Sequence, residues 1–372
     1  PVHAHTARLT SGERGLSLTC LRAIREFYGL HGGLDKVMGD VCKEVGFGAS
    51  MVAITRSTGL SLAESIVLRG GDTAALVSTA TSFFSYSWTG TRLGDMLDAI
   101  ERTIAALETK DGRTRYVWVD MFCASQNLLA GAFLPADEAA RTALKATDLA
   151  AYKARKEDTD RIFDDALDAV GELLLYCSPL AEQWLAPPHP YLLEDRGEPP
   201  EEWMRRGPGA MTRAWCMFEM VRALAKGCSL HVVLSAADAA GFEELLTERF
   251  AEIATIFASL DARDAQISKV DDREYILGQV AKLDGGLGAV TARVCEALRE
   301  WLAAEGRAAL DRMPAEERGT SLLINSVGRM LYAQGDLEGA AVLLREALEG
   351  CREERGAQHP NTLASINNLG ML

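Results

Sequence analysis

The sequence lacks the short motifs that mark the most common nucleotide-binding and hydrolytic sites. It contains no G-x-x-x-x-G-K-S/T phosphate-binding loop and no G-x-G-x-x-G dinucleotide fingerprint. It also contains no G-x-S-x-G nucleophile elbow and no H-E-x-x-H zinc motif. These absences argue against a P-loop NTPase, a Rossmann dehydrogenase, a hydrolase of the nucleophile-elbow type and a zinc protease of the H-E-x-x-H type.

Positive charge is also scarce. The chain has 372 residues, with 39 Lys and Arg against 53 Asp and Glu, which gives a formal net charge of -14 and a pI near 5.0. Proteins that bind nucleic acid through its phosphates need a basic face. We therefore expect no nucleic-acid partner.

Long apolar runs and closely spaced cysteines are missing as well. No run of 18 apolar residues occurs, so we expect no membrane-spanning segment and no membrane partner. The eight cysteines form no C-x-x-C pair and stand in apolar surroundings. This pattern favours a reducing compartment over a disulfide framework or a zinc site, and it predicts a cytoplasmic protein without a bound metal or cofactor.

The chain is too long for one ordinary core. Its hydrophobic periodicity changes along the sequence and predicts four segments. The predicted segments are a helical N-terminal segment (1–75), an α/β domain (76–240), a helical connector (241–315) and a helical repeat region (316–372).

Within the α/β domain, apolar runs alternate with helical patterns. The predicted strands are 81–86, 115–122, 172–179 and 229–235, with a further short strand near 265–268, an insertion over 123–158 and a proline-rich loop over 186–208. Alternation at this pitch predicts a doubly wound parallel sheet, in which 81–86 and 172–177 are neighbouring strands.

The end of the chain contains a 42-residue repeat, in which Thr320 and Asn325 recur as Thr362 and Asn367. With AQGDLEGAAVLLREAL and the linker HPNTL, it resembles a tetratricopeptide repeat of the kinesin-light-chain type. The resemblance implies a groove that binds a protein or peptide partner. Because such solenoids need about three repeats, we expect the array to continue past Leu372. We also expect Leu363, Ile366 and Leu369 to pack on the helix 337–350 and to leave an apolar strip exposed.

Four pieces of the α/β domain resemble a Toll/interleukin-1-receptor (TIR) domain in the same order. They are FFSYS (83–87), YVWVD (116–120), LLLYCSP (173–179) and TRAWCMFEMVRALAKG (212–227). The resemblance implies a flavodoxin-like fold. In the members that cleave NAD, a helical glutamate is catalytic, and it corresponds to Glu219. The chain departs from those members at Ser87 and Trp88, where an arginine often stands, and in the long insertion.

Ligands of doubly wound sheets bind beyond the carboxyl ends of the strands, where the strand order reverses. Trp215 and Glu219 are four positions apart and share one helix face. The resemblance implies Glu219 as the candidate catalytic residue, and this placement is consistent with it. The candidate substrate-binding residues are Ser85, Tyr86, Ser87, Trp88, Ser178 and Trp215. Arg205, Arg206 and Arg213 are candidates for a pyrophosphate contact, or otherwise form a solvated loop face.

Two functions remain open from the sequence. In one, a signalling or defence effector cleaves NAD, which is then a substrate and not a cofactor, and the repeats bind its partner. In the other, the chain is a non-catalytic adaptor whose TIR-like domain self-associates, or a cargo adaptor like kinesin light chain. The sequence gives less support to kinesin light chain, because no sustained heptads precede the repeats.

Overall fold

The computed structural model describes residues 13–43, 46–88, 90–126, 143, 146–147, 161–178, 191–192, 209–267 and 270–372. The chain divides into two compact units. The first combines residues 1–236 with 262–290, and the second combines 237–261 with 291–372.

The first unit contains a mixed six-stranded sheet among the described residues. Its strands are β1 (Arg14–Ser17), β2 (Val77–Thr79), β3 (Ser82–Ser85), β4 (Tyr116–Trp118), β5 (Glu172–Tyr176) and β7 (Ser229–Val233). A separate antiparallel ribbon pairs β6 (Tyr191–Leu192) with β8 (Gln266–Ile267). β8 lies at the short strand predicted near 265–268, and β6 lies inside the predicted proline-rich loop. The rest of that loop and most of the predicted insertion fall outside the described residues.

The order of strands across the sheet is β2-β1-β4-β3-β5-β7, and the last four are parallel. The chain leaves β3 toward β4 on one side and then returns to β5 on the other, so the strand order reverses at β3. Phe83 lies opposite Trp118 and Leu173, and all three side chains are buried. Parallel strands that are buried on both faces appear in the sequence as continuous apolar runs. The predicted pairing of 81–86 with 172–177 is confirmed.

β1 is the clearest departure from the expected all-helical segment 1–75. It runs antiparallel to both β2 and β4, with Leu16 opposite Val77 and Val117. Gly15 permits this close packing, because a Cβ atom there would lie 2.6 Å from the carbonyl oxygen of Tyr116. A four-residue strand with a central glycine is too short to show a period of two in the sequence.

The helices have the following bounds: α1 (Leu18–His31), α2 (Met38–Lys43), α3 (Met51–Ile54), α4 (Leu62–Arg69), α5 (Leu93–Asp111), α6 (Asp120–Cys123), α7 (161–169), α8 (Ala214–Ala225), α9 (Ala236–Ala258), α10 (Val270–Val280), α11 (Gly286–Arg312), α12 (Ala315–Arg318), α13 (Leu322–Ala333), α14 (Leu337–Arg355) and α15 (Pro360–Leu369). Some of these helices begin at a capping side chain. Ser61, for example, forms a reciprocal capping box with Glu64 at the start of α4.

The second unit joins parts of the predicted connector, 241–261 and 291–315, to the repeats, whereas the middle part belongs to the first unit. Trp301 on α11 stacks on Phe242 of α9, with ring centroids 5.5 Å apart. A Cβ atom at Gly306 of α11 would lie 2.6 Å from Val327 of α13 and 2.8 Å from Phe250 of α9. The connector helices and the repeat helices therefore pack together, and no boundary near 315 appears in the observed division of the chain.

The first and second repeat helices, α13 and α14, also pack closely. A Cβ atom at Gly328 would lie 2.8 Å from the side chain of Leu344. Leu363 and Ile366 are 49% and 40% exposed, so they form part of the apolar strip expected to stay exposed, and their packing on α14 stays a prediction. Thr362 is buried instead, and its hydroxyl donates to the carbonyl of Cys351 at 3.2 Å. A small polar face of α15 therefore packs inward.

Candidate functional site

Glu219 and Ser85 meet at the carboxyl end of β3. The Ser85 hydroxyl donates a hydrogen bond of 2.6 Å to Oε2 of Glu219. β3 ends at Ser85, and α8 carries Glu219 toward it. The adjacent positions Phe218 and Met220 are buried as well, so the helix is covered on several sides. The pair lies where the order of the parallel strands reverses, which is the usual position of a ligand site in such sheets.

The carboxyl group of Glu219 is almost completely shielded from solvent. The residue is 7% exposed, and Ser85 is 1% exposed. The pKa of Glu219 is raised to about 8, mainly by burial. The hydrogen bond from Ser85 opposes this rise, and the nearby Asp120 adds to it. In this closed arrangement the carboxyl is mainly neutral at pH 7, because burial disfavours the charged form.

A second carboxyl group, Asp120, organises the residues that follow β3. Its two oxygens accept hydrogen bonds from the Tyr86 hydroxyl at 2.6 Å and from Nε1 of Trp88 at 2.7 Å. The backbone N–H of Met121 also donates to Asp120 at 2.6 Å. Burial raises the pKa of Asp120, and the three hydrogen bonds oppose that rise. Asp120 thereby fixes Tyr86 and Trp88 next to the Ser85–Glu219 pair.

Sequence reasoning missed Asp120, although the residue stands in the YVWVD run. The predicted strand 115–122 includes Asp120, whereas β4 ends at Trp118 and Asp120 begins the short helix α6. The available signal was an acidic residue directly after a buried parallel strand. Such a position lies at the same edge of the sheet as the end of β3.

The other predicted residues fall in different surroundings. Ser87 is buried beside Tyr86, whose carbonyl accepts a hydrogen bond from the Cys216 thiol at 3.5 Å. Ser178 follows β5, and its hydroxyl accepts the backbone N–H of Ser235 at 2.6 Å, which ties the ends of β5 and β7 together.

Trp215 lies in an aromatic cluster with α7 and α10. Its ring is 5.4 Å from that of Phe163 and 5.5 Å from that of Tyr275, and its Nε1 donates to Asp272 at 2.9 Å. Its predicted contact with a substrate stays a prediction. Arg213 forms a backbone bridge with Gln266, and burial lowers the pKa of Arg213. Arg205 and Arg206 lie outside the described residues.

A second serine–glutamate pair lies at the amino ends of the parallel strands, and its glutamate has a lowered pKa where that of Glu219 is raised. The Ser82 hydroxyl donates to Glu172 at 2.7 Å, which repeats the serine–glutamate pairing at the amino end of β3 and β5. Here the Arg115 guanidinium also binds Glu172, with Nη2 to Oε1 at 2.7 Å. Burial acts to raise the pKa of Glu172, but the bonds from Arg115 and Ser82 hold it below its usual value. Glu172 is therefore a structural anion, while Glu219 has no such cation among its described partners.

The part of the chain that the structure describes shows no metal-binding cluster and no membrane-spanning helix. Its His, Cys, Asp and Glu residues form no group of three or more that could hold a metal ion. No helix in these ranges is long and apolar enough to cross a membrane.

Comparison with known proteins identifies one family in the second unit. The family model of the tetratricopeptide repeat matches residues 320–361, which contain α13 and α14. Comparisons with curated proteins and with solved structures gave no match. The match confirms the predicted repeat and supports a role in protein interaction. It does not reach the α/β unit, whose resemblance to TIR domains stays a prediction.

Proposed function

We propose that the chain couples partner-binding tetratricopeptide repeats to a TIR-like effector unit that cleaves the nicotinamide–ribose bond of NAD. The observation that carries the proposal is the Ser85–Glu219 hydrogen bond at the reversal of strand order. Numbered along the chain, the four parallel strands follow the order second, first, third, fourth. This is the flavodoxin-like order, in which a ligand binds between the first and third strands.

The chemistry requires a group that stabilises positive charge. Cleavage breaks the bond between ribose C1′ and the nicotinamide nitrogen, and the electron pair leaves with nicotinamide. The ribose then resembles an oxocarbenium ion, as in glycoside hydrolysis. Water attacks C1′ and loses a proton. Nicotinamide leaves as a neutral molecule and needs no acid, so Glu219 acts as a carboxylate that holds the ribose hydroxyls and stabilises the developing charge.

Neighbouring residues supply recognition. Trp88, fixed by its bond to Asp120, offers an aromatic face for a nucleobase. The Ser85 hydroxyl orients the Glu219 carboxylate through the bond at 2.6 Å. The repeats bind a protein or peptide partner, and self-association of the α/β unit brings copies together.

A non-catalytic adaptor is the second candidate, which includes a cargo adaptor of the kinesin-light-chain kind. The observation that favours it is the burial of Glu219, which is 7% exposed and whose pKa is raised to about 8. In that case the Ser85–Glu219 bond holds α8 on the sheet, and the tetratricopeptide match accounts for the function.

Release of nicotinamide from NAD distinguishes the two candidates. The protein should be tethered at high local concentration, so that a need for neighbouring copies is met. We expect wild type to release nicotinamide and Glu219→Gln to be inactive, because Gln keeps the shape but not the charge. Glu172→Gln is the matched control, since it makes the same change on a serine-bound glutamate at the opposite edge. Its activity should persist while circular dichroism shows it folded.

The pH dependence gives a second test. If the carboxylate is the active form, kcat/KM should rise about tenfold per pH unit below the pKa of the free site, which is about 8, and then level off. Tethered wild type that releases no nicotinamide at any pH from 6 to 9 would contradict catalysis by Glu219 in this arrangement and favour the adaptor.

A further inference from the structure

The chain passes between the two units more than once. It leaves the first unit after residue 236, returns for residues 262–290 and leaves again to finish the second unit. Both ends of this returning segment are therefore covalently attached to helices of the second unit. We refer to the described part of 262–290 as the strap.

The strap packs on the helix that carries Glu219. Tyr275 of the strap stacks on Trp215 of α8 with a ring distance of 5.5 Å, and it meets Phe218 edge-on at 6.0 Å. Asp272 accepts the indole N–H of Trp215 at 2.9 Å. The Tyr275 hydroxyl donates to Asp164 of α7 at 2.8 Å. These contacts join the strap to both helices at this side of the first unit.

The regular elements of the strap are too short to be stable alone. β8 has two residues and α10 has eleven, whereas isolated helices shorter than about 12–15 residues are marginal in water. Ile276 and Val280 of α10 are buried, so docking supplies the stability of this helix. Elements held mainly by docking belong to the part of a protein that opens most easily.

One helix belongs to both the strap and the second unit. α11 runs without interruption from Gly286 to Arg312, and its first residues are the end of the strap. Farther along, Gly306 lies in tight contact with Val327 of the tetratricopeptide repeat. Arg307 pairs with Asp336, the residue that caps α14. A displacement of the repeat helices therefore acts directly on the helix that ends the strap.

We propose that the strap is a regulatory element, which clamps α8 until a partner bound to the repeats shifts α11 and releases it. Release frees Trp215 from Tyr275 and Asp272 and lets α8 move, which exposes Glu219. The release of α8 from the strap does not require that the protein be an enzyme. Only its effect on NAD cleavage rests on the function proposed above.

Amide hydrogen exchange of α8 tests the clamp in the full chain. We expect Tyr275→Ala to raise the exchange rate of residues 214–225 by about tenfold, because it removes a large packed ring. Asp272→Ala, which keeps the ring, should raise it by a smaller factor. Exchange in α1 of the same unit should stay at the wild-type rate, which distinguishes local release from general loosening. Wild-type exchange in α8 of both variants would overturn the proposal.

A pair of glycine substitutions tests the transmission. Gly306→Ala forces a methyl group against Val327, and Gly350→Ala forces one against the Gly319 backbone at 2.8 Å. Both crowd the second unit, but only Gly306 lies on α11. We expect Gly306→Ala to raise α8 exchange at least threefold and Gly350→Ala to leave it unchanged. Equal effects of the two variants, or none in α8, would overturn the regulatory role. Because exchange is measured without NAD, these outcomes do not depend on whether the protein is an enzyme.

Discussion

Replacing Glu219 by Gln should stabilise the protein, and the gain should grow with pH. The pKa of Glu219 is raised from 4.5 to about 8 in the folded state. Below pH 4.5 the carboxyl is protonated in both states and contributes no pH dependence. Between these two pKa values the unfolded chain releases the proton while the folded chain keeps it. Stability of the wild type therefore falls as pH rises through this window.

The size of the effect follows from the shift. Each pH unit in the window costs about 1.4 kcal/mol, so the full cost reaches about 5 kcal/mol at pH 8 and about 3 kcal/mol at pH 7. Gln can still accept the hydrogen bond from Ser85, and it never ionises. The free energy of unfolding of Glu219→Gln should equal that of wild type near pH 4.5 and exceed it increasingly up to pH 8.

Urea unfolding of the full chain, followed by tryptophan fluorescence at pH 5, 6, 7 and 8, measures the difference. Glu172→Gln serves as the opposite control, because the pKa of Glu172 is lowered by Arg115 and Ser82. That variant should be less stable than wild type at pH 7, and its deficit should shrink as pH falls and wild-type Glu172 takes up a proton. A pH-independent difference for Glu219→Gln, or a loss of stability at pH 8, would refute the buried neutral carboxyl.

Two further predictions concern packing and the second carboxyl. Gly15→Ala should destabilise the first unit by about 1–3 kcal/mol in thermal unfolding, because its Cβ meets the Tyr116 carbonyl at 2.6 Å, whereas Gly39→Ala has open space and should not. Asp120→Ala should cost about 2–3 kcal/mol because three hydrogen-bond donors lose their acceptor. It should also free the Trp88 indole, so that Trp88 becomes accessible to acrylamide quenching; unchanged quenching would contradict the role given to Asp120.

The sequence predicted those features that depend on element order alone. Apolar runs ending in Ser85 and Ser178, followed by a helix with Glu219, define neighbouring parallel strands and the edge at which their ends meet. The structure accordingly brings Ser85 and Glu219 into hydrogen-bond contact. The repeat was equally readable, because its period of 42 appears in residue identities and the family model matches it.

Features that depend on the exact end of a strand, on which face of a helix is buried, or on partners distant in the sequence could not be predicted. The direction of the Asp120 side chain depends on whether the residue belongs to a strand or begins a helix. A small shift of the strand end decides between the two. The inward face of α15 differs from the apolar one because Thr362 finds a carbonyl partner on α14. The stacking of Trp215 on Tyr275 joins residues 60 positions apart, which no local pattern encodes.

The alternation of the chain between its two units has a practical consequence for dissecting the protein. No single cut yields either unit intact. A fragment ending at residue 236 lacks the strap, and a fragment ending at residue 290 carries α9 with the apolar side of Phe250 and Phe257 uncovered. During synthesis the first unit is likewise incomplete until residue 290 has left the ribosome, by which time the first helix of the second unit has already emerged. The two units therefore have to be expressed, and studied, as one piece.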